Sequence, residues 1–126
     1  MITEDYVSYE VARLLKEKGF DEGCRSYYYD NGKDYDICFR NLSKRDMNED
    51  EVLRPTLQMA MQWLREEHNR YITILTSCEL DYPTFIFRIE RYAKPLFFTD
   101  IQSNELYNSY EDAVEVAIQY CLTNLI

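Results

Sequence analysis

The stretch Ser26-Tyr27-Tyr28-Tyr29-Asp30-Asn31-Gly32-Lys33-Asp34-Tyr35-Asp36-Ile37 decides how the chain folds. Asn-Gly between alternating residues is the strongest short-range signal for a β-hairpin, because both residues tolerate the positive φ that the tight turn needs. A two-residue turn places Asp30 opposite Lys33, Tyr29 opposite Asp34, Tyr28 opposite Tyr35, Tyr27 opposite Asp36 and Ser26 opposite Ile37. Alternation then puts Cys24, Ser26, Tyr28, Tyr35, Ile37 and Phe39 on one face, the expected core face. Arg25, Tyr27, Tyr29, Asp34, Asp36 and Cys38 fall on the other.

The same acid-rich stretch invites comparison with a calcium-binding loop. Such a loop needs oxygens at alternate positions, glycine sixth and glutamate twelfth. With Asp30 first, Gly32 is third and the twelfth residue is Asn41, so the turn is the better reading.

Outward from this hairpin, a first helix runs from Thr3 or Ser8, either of which could cap it, to Lys18, with Gly19 as a left-handed stop. Val7, Val11, Leu14 and Leu15 form its apolar side, and Tyr6, Glu10, Arg13 and Glu17 its polar side. Residues 41–54 are polar and charge-dense, a loop or a single helical turn. Pro55 opens a second helix ending near Asn69, with Leu57, Ala60, Met61 and Leu64 inward and Met59 and Trp63 on a flank.

Residues 71–78 and 84–91 are rich in β-branched and aromatic residues and form a second hairpin, with Phe85, Phe87 and Ile89 on its core face. The segment 95–101 reads either as a fifth short strand or as an apolar loop. Ser109 caps a third helix that is apolar around most of its circumference, so it is either central in the fold or in contact with another subunit. The expected architecture is one α+β domain over residues 1–126, in the order αββαββα. A mainly antiparallel sheet of four or five strands would carry the helices on one face.

Composition narrows the function classes. With 23 acidic against 14 basic residues the net charge is −9, which disfavours direct binding to nucleic acid or to an anionic membrane. No apolar run reaches the ~18 residues that span a bilayer, and the N-terminus lacks a signal-peptide pattern, so a cytoplasmic protein is expected. The four cysteines, Cys24, Cys38, Cys78 and Cys121, lack the close pairs of a zinc site or a disulfide framework and read as buried free thiols. No phosphate-binding loop or nucleophile-elbow motif is present, and neither metal nor cofactor is expected.

His68 is the only histidine, so any Cys-His pair must use it. Its helical position, in line with Leu57, Met61 and Leu64, reads better as the end of a packed stripe. Asp34 and Asp36 are the best local carboxylate pair, but on a solvated strand face their acidity is ordinary. Arg25, Tyr27 and Tyr29 are of residue types enriched in interface cores, although cover beneath a helix accounts for them equally. Met59 and Trp63 carry the same two readings.

Residues 55–66, with the opening Ile2-Thr3-Glu4-Asp5-Tyr6-Val7-Ser8 and the ending Ser109-Tyr110-Glu111-Asp112-Ala113, resemble a family of short uncharacterised proteins from phages, prophages and mobile elements of gut Bacteroidetes. The resemblance spans nearly the whole chain; residues 43–54 and 94–108 fit it least. It implies a small accessory protein of the bacterial cytoplasm and assigns no activity to any residue. The expected function is therefore a noncatalytic one, exercised by contact with an unknown host or phage protein and as a homodimer through the third helix or a hairpin edge. The alternatives are an acidic mimic of nucleic acid in counter-defence, and a small-molecule binder or hydrolase using His68.

Overall fold

The computed structural model describes residues 4–126; Thr3, one of the two expected caps of the first helix, lies outside them. Three helices and six strands follow the order α1 (Tyr9–Glu17), β1 (Cys24–Tyr28), β2 (Tyr35–Leu42), β3 (Val52–Leu53), α2 (Leu57–His68), β4 (Tyr71–Ser77), β5 (Thr84–Ala93), β6 (Leu96–Gln102) and α3 (Tyr110–Tyr120). The α+β class and its order of helices and hairpins are as expected. The single sheet is not: there are two antiparallel three-stranded sheets, β2-β1-β3 and β4-β5-β6. The unexpected strand is Val52-Leu53, inside a segment that reads as polar loop; residues 96–102 take the strand reading and not the loop one. The chain clusters into two compact units, one ending at Ala60 and the other Met61–Ile126, with the division inside α2.

In the first unit, Ser8 caps α1 by accepting from Val11 N–H at 3.3 Å, and Gly19 ends it at φ +91°. Val11, Ala12 and Leu15 are buried, and the helix lies against β3. The hairpin register is the expected one: Ser26 pairs with Ile37, Tyr27 with Asp36 and Tyr28 with Tyr35. The connection is wider than two residues. Gly32 N–H donates to Tyr29 O (3.1 Å), and the Asn31 side chain accepts from the Lys33 and Asp34 N–H groups at 2.9 and 3.0 Å. Asp30 and Lys33 thus join the loop, and the register survives because a loop widened equally on both sides keeps the same partners.

The expected core face of this hairpin holds for β1 only. Cys24, Ser26 and Tyr28 are buried, whereas Tyr35, Ile37 and Phe39 are 48%, 64% and 102% exposed. The reason is position in the sheet. Paired on both sides, by β2 and by β3, β1 is the central strand, while β2 is an edge. Between Ile37 and Leu42 the ladder is interrupted, since Leu42 pairs with Cys24, and Cys38–Asn41 have no partners on β1.

In the second unit, α3 packs on β4 and β5. Ala113, Val114, Ala117, Ile118 and Cys121 are fully buried, so this helix is core. Ser109 caps it by accepting from Asp112 N–H (3.0 Å), and a wider helical turn over Cys121–Leu125 extends it. Phe87 and Ile89 are buried as expected; Phe85 is half-buried against Tyr110. Asn69 ends α2 at φ +54° and clamps the backbone of Tyr92, donating to its oxygen at 2.8 Å and accepting from its N–H at 3.1 Å. Asp100 is an extra residue in β6 opposite Ile89-Glu90; its carboxylate meets Arg91 at 3.1 Å and Arg70 at 3.6 Å. No described helix is long and apolar enough to cross a membrane.

Candidate protein-contact surface

The outer face of the β1–β2 hairpin gathers three of the residues singled out from the sequence. Arg25 is exposed, and Tyr27 and Tyr29 are half-buried edge to face, with ring centres 5.2 Å apart. Strand alternation aims both phenols at Asp36 on the neighbouring strand. Tyr29 Oη donates to Asp36 Oδ2; the Tyr27 hydroxyl, 3.3 Å from both Tyr29 Oη and Asp36 Oδ2, shares one proton between them. The hydrogen bond that it donates to the Asp36 carboxylate holds the Tyr29 phenol above the usual tyrosine range. A phenol so held is a fixed polar contact, not a nucleophile.

Asp34 does not join Asp36. Its carboxylate accepts from the Asn31 side-chain amide at 2.7 Å and serves the turn. The two acids have different hydrogen-bond partners.

His68 packs its ring edge to face on Trp63, 4.6 Å between centres, and among the described residues no thiol or carboxyl hydrogen-bonds to that ring. Of the two flank residues of this helix, Trp63 is 6% exposed, whereas Met59 is half-exposed. A flank position on a helical wheel does not say how far a neighbouring layer reaches around the helix.

All four cysteines are free thiols, but only two are buried. Burial pushes the Cys24 thiol up to about 11 and the Cys121 thiol up to about 12. Cys38 is half-exposed and Cys78 exposed, contrary to the expectation of four buried thiols; both lie on solvated stretches of strand and loop. Among the described residues no three His, Cys, Asp or Glu side chains are placed to share a metal ion.

Two features escaped the sequence. One is the set of exposed apolar side chains on edge strands: Tyr35, Ile37 and Phe39 on β2, and Leu96, Phe97 and Phe98 on β6 beside Tyr92. The unbroken Leu96-Phe97-Phe98 run was the available signal, since consecutive apolar residues in a strand cannot all face one core. The other is a cavity of about 240 Å³ between α1 and the segment 44–53, with Ala12, Phe20, Val52 and Leu53 among its walls. Lys16 crosses its margin, donating to the backbone oxygens of Glu49 (2.5 Å) and Glu51 (3.4 Å).

Comparison with family models, with curated proteins and with solved structures found no match.

Proposed function

We propose that this chain is a noncatalytic accessory protein that works by contact with other protein chains, including a second copy of itself. The observation that carries the reading is the placement of large apolar side chains on the open edges of both sheets, with Phe39 entirely exposed. An apolar edge strand offers unpaired main-chain groups beside greasy side chains, the combination that strand-adding partners recognise. The residues best suited to chemistry are otherwise engaged: His68 with Trp63, Asp36 with two phenols, Asp34 with Asn31. The setting we propose, the cytoplasm of a bacterium carrying a phage or mobile element, rests on the family resemblance alone.

The test is capture from such a host with the tagged chain and with Phe39→Asp and Phe97→Asp variants of unchanged melting temperature. Partners that disappear with either substitution support the reading. Turnover of a substrate by the purified chain, abolished by His68→Ala, would overturn it.

A further inference from the structure

We infer that the free edge of β2 is the surface through which two copies of this chain associate, the strands pairing antiparallel about a two-fold axis at Cys38. This rests on the protein-contact reading above and adds the partner and the register.

The direction of the main-chain groups can be worked out from β1. Arg54 N–H on the β3 side donates to Ser26 O at 2.8 Å, so the Ser26 backbone faces β3 and not β2. In an antiparallel ladder, hydrogen-bonded and non-hydrogen-bonded pairs alternate. Ile37, the partner of Ser26, therefore turns its N–H and C=O to the open edge, as does Tyr35 two residues earlier. β2 continues to Leu42, but Cys38–Asn41 form an irregular stretch with no partners on β1. A bulge on an edge usually discourages further pairing. Here it carries Phe39 clear of its own chain, where only a second chain could cover it.

The occupant follows from self-complementarity. An axis at Cys38 sets Ile37 opposite Phe39 and Asp36 opposite Arg40, each twice, with Cys38 opposite itself. Moving the axis one residue on sets Asp36 opposite Leu42 and Cys38 opposite Arg40; moving it one residue back leaves Asp36 facing a thiol. Arg40 is available for the exchange, its side chain 70% exposed and its tie to Asp46 a distant 3.7 Å; Asp36, whose Oδ2 accepts from Tyr27 and Tyr29, meets it through Oδ1. Opposite charges directly across two strands stabilise the pair, and like charges oppose it. Since Ile37 presents its hydrogen-bonding groups to the partner, Cys38 falls in the non-hydrogen-bonded position, where side chains approach most closely, with Cβ atoms about 4.5–5.5 Å apart. Seven residues of each β2 strand, 35–41, pair about this axis, a small interface and so a weak association.

The experiment uses the full chain with Cys78→Ser, which removes the exposed competing thiol and leaves Cys24 and Cys121 buried. Diamide, taking two electrons and two protons, should link Cys38 to Cys38 and give a reducible species of twice the 15.2 kDa chain. Asp36→Lys and Arg40→Glu should each cut the yield of that species roughly tenfold, the effect of losing two charge pairs of ~0.7 kcal/mol each. The two together should restore it, with circular dichroism unchanged in every variant. A dimer in sedimentation that does not cross-link through Cys38, or that ignores both charge changes, overturns this surface while leaving the contact reading intact. A monomer at every concentration overturns self-association; the contact reading then stands or falls on the capture of other proteins.

Discussion

The guanidinium carbon of Arg54 lies 3.7 Å from the centre of the Tyr35 ring and 4.0 Å from that of Tyr6, so one cation is stacked between two phenols. Its Nη1 also donates to Ser26 Oγ at 3.2 Å, and Tyr28 approaches from a third side at 5.3 Å. Arg54 Nε is buried without a hydrogen-bond partner, which leaves the ring faces as its compensation. This stack holds the half-exposed Tyr35 of the edge strand to the rest of its sheet.

Arg54→Lys should therefore lower stability by about 1–2 kcal/mol, because an ammonium keeps the charge but loses the flat face that stacks on two rings. Urea unfolding followed by tyrosine fluorescence measures it. A loss no larger than that of an exposed control such as Arg45→Lys would show that the stack contributes nothing.

Gly32 and Gly19 both adopt positive φ, at +71° and +91°, yet they should not respond alike. A Cβ on Gly32 would lie 2.8 Å from Cδ2 of the Tyr9 ring, whereas one on Gly19 meets nothing within 4 Å. Gly19→Ala should cost about 1 kcal/mol, the conformational term alone. Gly32→Ala should cost more, about 2–3 kcal/mol, as Tyr9 is pushed from the turn. Equal losses in thermal melts would count against the packing of Tyr9 on the turn.

Asn69 combines a left-handed helix stop with two hydrogen bonds to Tyr92. Asn69→Gly keeps the backbone conformation and loses the amide; Asn69→Ala loses both. Expected losses are about 1–2 and 2–3 kcal/mol respectively. Hydrogen exchange at the Tyr92 amide should quicken in both variants. An exchange rate there as slow as in the parent would mean that the clamp does not form in solution.

Thiol reactivity separates the cysteines. Two of the four, Cys38 and Cys78, should react with a thiol reagent in the native chain, and the others only on unfolding. Burial raises the folded pKa of Cys24 to about 11 and of Cys121 to about 12, from an ordinary value of 9.0. Above about pH 9 the unfolded chain has therefore lost protons that the folded chain still holds. Stability is full below that pH and falls as pH rises toward 11–12. Cys121→Ala should flatten this alkaline decline in unfolding free energy; an unaltered slope would contradict the buried-thiol account.

Local chemistry made much of the fold legible before any coordinates. The Asn31-Gly32 signal and strand alternation set the Ser26–Ile37, Tyr27–Asp36 and Tyr28–Tyr35 pairs, which needed nothing beyond a symmetric turn. Caps at Ser8 and Ser109, and the stops at Gly19 and Asn69, depend on hydrogen bonds and φ values within a few residues. The contact candidates fared unevenly for the same reason. Tyr27 and Tyr29 meet Asp36 across one hairpin, within reach of register, while the fate of Trp63 depended on layers remote in sequence.

What the sequence by itself determined, then, is which residues share a face and where each element begins and ends, because those are matters of backbone geometry over short spans. Which faces are covered was decided only by the tertiary structure. Val52-Leu53 made β1 central and left β2 an edge, so the directly paired Tyr28 and Tyr35 ended 8% and 48% exposed. Period-two alternation sorts side chains between two sides of a sheet; it carries no information about what lies beyond either side or past the last strand.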